Sequence, residues 1–178
     1  MALPFRKIAK RLAAGDAAGT TVEKGAALED VVSWTFCSLP GLRILKRDFI
    51  DRAGGAEIDL LLYNDPRSTP VGFLSEFPMI ECKNWNNAVN SATVRDFVAK
   101  LRACRLTVGI LVAANGITGD EDDQTAANDT IRQAFDADGI RIIVIKRSEI
   151  EGFRSKESFI EFLQERYGEV ILRSFSIA

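Results

Sequence analysis

The chain has 178 residues, 47% apolar and 27% charged, which suits one compact domain with a two-sided core and leaves little room for a second. Lys plus Arg number 23 and Asp plus Glu 25, so a net charge of −2 supplies no bulk attraction to nucleic acid or an anionic membrane. There is no histidine, which excludes Ser-His and Cys-His nucleophile pairs, histidine-ligated zinc or haem, and histidine-based nucleases. Chemistry must therefore rest on carboxylates, Lys, Tyr, Cys or a metal. Cys37, Cys82 and Cys104 are odd in number and lack metal-ligand spacing, so they are expected as small core residues of a protein in a reducing cytoplasm.

Residues 1–14 set Arg6, Lys7, Lys10 and Arg11 among Leu3, Phe5, Ile8 and Leu12, a basic amphipathic helix with no apolar run of signal-peptide or membrane-spanning length. With the break at Gly15–Gly19 it forms an N-terminal segment, 1–20, ahead of a domain expected over 21–178. Leu28, Val31, Val32, Thr35 and Leu39 predict a helix over 21–38, capped by Thr20 or Thr21 and ended by Pro40-Gly41. Strands are predicted over 42–50 and 56–63, joined by a turn at 51–55 containing Gly54-Gly55. Strict alternation places Ala56, Ile58, Leu60 and Leu62 on one face of the second strand, and Glu57, Asp59, Leu61 and Tyr63 on the other.

After a proline-containing loop at 64–72, residues 73–84 hold a third strand with Phe77, Met79, Glu81 and Lys83 on one face. Val94, Phe97, Val98 and Leu101 predict a helix over 90–104; residues 107–114 then read as a strand buried on both faces. A helix follows, opened by the acidic cluster at 120–123, which reads as a solvated cap with metal binding as the lesser alternative, and running to about Asp138. A strand over 140–146 and a helix over 156–167 complete the pattern, with the segment after 168 compatible with either state. Strands joined by short turns make an antiparallel meander, while helix-linked strands lie parallel. The expected fold is α/β: one mixed sheet flanked by helices on both faces.

An ionised group in an apolar strand costs several kcal/mol unless it is paired or coordinated. Asp59 lies inside IDLLLY, and Glu81 and Lys83 flank Cys82 in PMIECKNW. Side chains two apart in a strand share a face, so Glu81 and Lys83 point together, Cys82 points away, and the meander can bring Asp59 opposite them. Two carboxylates at the ends of two strands make an oxygen-rich place for a hard divalent cation, and Mg2+ takes one or two carboxylates while keeping several waters. A lysine beside them can orient a water or neutralise charge on a phosphate. Glu29, at the border of the buried stripe of helix 21–38, is a candidate fourth member. Taken alone, Glu81 and Lys83 also read as a plain ion pair at a strand end.

With these residues in hand, the chain resembles the PD-(D/E)xK nucleases of restriction-endonuclease-like fold, above all the Mrr-like catalytic domains of type IV restriction enzymes. Asp59 followed by Glu81-Cys82-Lys83 matches the family's D…(D/E)xK signature, Glu29 stands where its first-helix glutamate does, and GILVAANGIT sits in the right order behind them. The resemblance covers roughly 21–147. One departure is that Ile58, not proline, precedes Asp59.

The resemblance implies a Mg2+-dependent endonuclease, with Mn2+ able to substitute, that hydrolyses DNA in restriction, anti-phage defence or repair. Asp59, Glu81 and the Cys82 carbonyl would hold the metal, Lys83 would act on the attacking water and the transition state, and Glu29 would assist. Trp85 would stack on a base or cap the core, and Lys100 and Arg102 would meet phosphates or remain solvated. A homodimer or a targeting protein would supply specificity. Two other readings compete: a catalytically silent nucleic-acid-binding or assembly module of the same fold, and a protein whose strand charges are merely paired.

Overall fold

The computed structural model describes residues 4–50, 57–119 and 126–172. The basic helix exists as α1 (Phe5–Asp16), and it is packed onto α2 (Thr21–Phe36). Ile8 and Leu12 enter the core, Arg11 Nε donates to Asp30 Oδ2 at 2.8 Å, and the Lys7 ammonium lies 3.6 Å from the Trp34 ring centroid. Thr20 caps α2: its Oγ1 accepts from the Glu23 N–H at 3.2 Å.

Among the described residues five strands follow: β1 (Leu42–Ile50), β2 (Glu57–Asn64), β3 (Met79–Lys83), β4 (Val108–Ala113) and β5 (Arg141–Lys146). Their spatial order equals their chain order, with β1–β2 and β2–β3 antiparallel and β3–β4 and β4–β5 parallel. The parallel pairs are linked by α3 (Ser91–Cys104) and α4 (Ala127–Asp138), and α5 (Arg147–Gly152) and α6 (Lys156–Leu172) close the chain. This is the mixed sheet with helices on both faces that the sequence pattern predicts.

Each face buries its own apolar layer. On one, Leu28, Val31 and Phe36 of α2 and Phe159 and Leu163 of α6 meet Leu60, Ile80, Ile110 and Ile143. On the other, Val94, Phe97 and Leu101 of α3 and Ile131 of α4 meet Met79, Leu111 and Ile142. Every residue of β4 is buried, as a central strand covered twice requires.

Three expectations need correction. The third strand covers only Met79–Lys83, because the buried Asn64 donates through Nδ2 to Val71 O and Ser75 O (3.0 and 2.8 Å) and holds the preceding segment as a loop. Phe77 consequently lies outside the strand and packs at its edge on Tyr63, with ring centroids 5.7 Å apart. Cys37 and Cys104 are exposed rather than buried, since each stands at a helix C-terminus beyond its apolar stripe. The short helix α5, unpredicted, is nucleated where the Glu149 carboxylate accepts from the Lys146 N–H at 2.6 Å.

Helix α6 carries 168–172, so that part of the ambiguous tail is helical. The Gly54-Gly55 turn, Leu3, Ala56, the acidic cluster at 120–123 and the chain after 172 lie outside the described residues. Among the described residues no helix is long and apolar enough to cross a membrane.

Candidate active site

The group of charges begins with a twist in the outer two strands. Arg47 pairs with Leu60 and Phe49 with Ile58. Leu60 belongs to the apolar layer under α2, whereas Ile58 and Phe49 belong to the layer under α3. Alternation would put Ile58 and Leu60 on one face, so both strands rotate between these two pairs. The residues at the rotation are Asp48, whose φ is 46°, and Asp59. Aspartate is among the few side chains that adopt this left-handed conformation readily.

At the same level β2 and β3 part. Their pairing stops after Leu60–Ile80. Asp59 Oδ2 accepts the Cys82 N–H at 2.6 Å, so a side chain stands where a ladder carbonyl would. A strand residue whose N–H faces one neighbour turns its C=O to the same neighbour, which directs the Cys82 carbonyl into this gap.

Glu81 and Lys83 project from β3 on the α3 side, while Cys82 packs against the opposite layer, as the spacing predicts. Glu81 is 3% exposed, a burial that an ionised carboxylate tolerates only with partners. It has two: Lys83 Nζ donates to Oε1 at 2.6 Å, and Lys100 Nζ, reaching down from α3, donates to Oε1 and Oε2 at 2.8 and 2.9 Å.

Electrostatics bind the acids into one system. Burial first, and the Glu81 charge second, raise the Asp59 carboxyl above the ordinary aspartate range despite its bond to Cys82. Glu29 of α2 is lifted from 4.5 to about 7 by burial, then by Asp48 and Asp59, with Arg47 Nη2 at 3.3 Å opposing. Burial favours the neutral form of Lys83, but Glu81 beside it wins, and its ammonium is held above the usual lysine value. Burial together with Asp59, Glu29 and Glu81 drives the Cys82 thiol far upward. Cys82 thus offers its backbone carbonyl, not a thiolate.

The structure brings Asp59, Glu81, Lys83 and Glu29 together. Sequence reasoning missed Asp48, whose handedness could not be read from its type, and it placed Lys100 on an outer polar face. Lys100 follows Phe97 by three and borders the apolar stripe of α3, so its stem runs along that stripe to Glu81, a signal the periodicity did contain. Arg102 is turned away: its Nε donates to Asp138 Oδ2 at 2.8 Å. Trp85 is 46% exposed and does not cap the core, and its ring centroid is 5.9 Å from Lys83 Nζ. Glu57 is exposed.

Among the described residues no three acidic or thiol side chains converge closely enough to hold a metal ion by themselves. The local donor set is two carboxylates and one backbone carbonyl, all hard oxygens, which fits Mg2+ or Mn2+ with waters completing the shell. Repulsion of Asp59 by Glu81, and of Glu29 by Asp48 and Asp59, is what a cation here would relieve.

Residues 41–150 match the family model described as Restriction endonuclease, Mrr_cat. No curated protein and no solved structure matches the chain. The matched segment contains Asp48, Asp59, Glu81, Lys83 and Lys100, with Glu29 ahead of it.

Proposed function

Since the chain belongs to this restriction endonuclease family, we propose that it hydrolyses phosphodiester bonds of DNA with the aid of Mg2+ or Mn2+. One observation carries the reading: Asp59 stands in the parted ladder against Glu81 and Lys83, with Glu29 behind it. A plain ion pair accounts for Lys83 on Glu81. It gives no reason for two further carboxyls to be held nearby with their protons retained above the usual range.

Asp59, Glu81 and the Cys82 carbonyl would hold the cation. Once bound, it supplies Lewis-acid polarisation of the phosphate and a more acidic water. Lys83 stays protonated, so it acts as a hydrogen-bond donor and positive charge towards the phosphate and the attacking water. Doing so requires it to leave Glu81. Lys100 makes this affordable, because it contacts both Glu81 oxygens and no buried carboxylate is left unpaired. Glu29 assists by accepting or releasing a proton near neutral pH. Cutting both strands of a duplex needs two such groups, which a homodimer would supply, and restriction, defence or repair are the settings for such an activity.

The test is plasmid cleavage with Mg2+, Mn2+ or chelator, using wild type, Asp59→Asn and Lys83→Met, with circular dichroism to verify folding. Cation-dependent cleavage is expected to fall at least about a hundredfold in either variant. Undiminished cleavage by a folded variant overturns the assignment. A silent module of the same fold would cut nothing and take up no Mn2+ in a calorimetric titration.

A further inference from the structure

A cavity of about 330 Å³ opens at the carboxyl ends of the parallel strands. Asn84 and Trp85 line it after β3, Asn115 after β4 and Arg147 after β5, with Asp16 and Lys24 opposite.

The walls select the ligand's chemistry. Arg147 is occupied: Nη1 and Nη2 donate to the two Asp16 oxygens at 2.6 and 2.7 Å, and Nε to Glu151 at 3.1 Å. Arg147 and Lys24 are matched by Asp16 and Glu151 in the same wall, so the cavity carries no surplus positive charge and is not built as a phosphate cradle. The uncharged lining is Trp85, the amides of Asn84, Asn86 and Asn115, and Ala114 and Ser148. Asn84 Nδ2 donates to Lys24 O at 2.7 Å and Asn115 Nδ2 to Trp85 O at 2.6 Å. Those carbonyls can only accept, so they fix which end of each amide is nitrogen and leave Oδ1 as its opposite, accepting edge. A flat ring against an indole with amides at its rim is how proteins hold an unstacked nucleobase. The volume is at the small end of the ~300–1,000 Å³ range of ligand pockets, which suits one base with its sugar.

Trp85 lines this cavity while its ring centroid is 5.9 Å from Lys83 Nζ. A base on Trp85 therefore belongs to a nucleotide next to a phosphate at Lys83.

We infer that the cavity receives one unpaired nucleobase of the DNA, stacked on Trp85 and held at its edge by Asn84 and Asn115. Its placement next to the cut rests on the nuclease reading; the base binding does not. Bases inside a duplex are stacked and out of reach, so the preferred substrate is single-stranded, bulged or branched, or carries a base that can be extruded.

The experiment uses the full chain and a duplex with a single bulged nucleotide, bearing either thymine or an abasic sugar at the bulge. Affinity is read by fluorescence anisotropy in chelator, and cleavage of the same DNA in Mg2+. Wild type is expected to bind the thymine bulge about tenfold tighter than the abasic one. Trp85→Ala removes that difference, and Trp85→Phe, which keeps a stacking face, restores most of it. Equal affinity of wild type for the two bulges overturns the inference, as does a preference that survives Trp85→Ala. If the base preference is present but no DNA is cut with any cation, the nuclease reading fails and the base site stands. If DNA is cut without a base preference, the reverse holds.

Discussion

Replacing Glu29 by glutamine isolates the electrostatic strain of the site in a stability measurement. The carboxyl titrates at about 7 in the folded protein against 4.5 for an ordinary glutamate, through burial first and then Asp48 and Asp59. Between these values the folded state holds a proton that the unfolded chain has released. This group's contribution is therefore complete below pH 4.5 and is lost as the pH rises through 7. The gap corresponds to about 3 kcal/mol at most. Its side chain is 18% exposed, so screening trims the expected loss to about 2 kcal/mol. Glutamine has the shape of the protonated acid and never ionises. Glu29→Gln should thus match wild type at pH 4.5 and be more stable by about 2 kcal/mol at pH 8.5, in urea unfolding with chelator present. Groups that do not interact with Glu29 cancel in the difference at each pH. A gain of equal size at both pH values, or a loss at pH 8.5, would refute the claim that Glu29 is confined among like charges.

Lys100→Met leaves Glu81 with Lys83 alone. It should destabilise the fold by about 1–3 kcal/mol in urea and slow cleavage, whereas Arg102→Met, whose partner Asp138 lies outside the site, should change cleavage little. Gly109→Ala places a Cβ 2.7 Å from Leu101 Cδ1 and 2.9 Å from the Phe97 ring. Those groups sit on α3 beside Lys100, so calorimetry should show a loss of about 1–3 kcal/mol together with reduced cleavage. A Gly109→Ala protein with unaltered melting would mean that α3 yields without cost.

Most of the architecture was legible in the residues because its signals are local. Helix α2 announces itself through the spacing of Leu28, Val31 and Val32 and the cap at Thr20, and β4 through an unbroken apolar run. Asp59, Glu81 and Lys83 stood out for a related reason: charge on an apolar strand is costly enough to need a purpose. The alternation that located these strands also failed at the site itself. Ile58 changes layer because Asp48 adopts a left-handed conformation on the neighbouring strand, and β3 begins late because Asn64 pins a distant loop.

The amino-acid order by itself determined most of the elements, the mixed sheet and the three charges on its strands, since these depend on periodicity and desolvation acting over a few positions. Only the tertiary structure decided that Lys100 would cross from α3 to Glu81, that Glu29 would be crowded by Asp48 and Asp59, and that Trp85 would wall a cavity closed by Asp16 and Lys24. Those meetings join residues up to 69 positions apart, from Asp16 to Trp85. They depend on how helices are laid across a finished sheet, and no local spacing encodes the direction in which a long side chain then reaches.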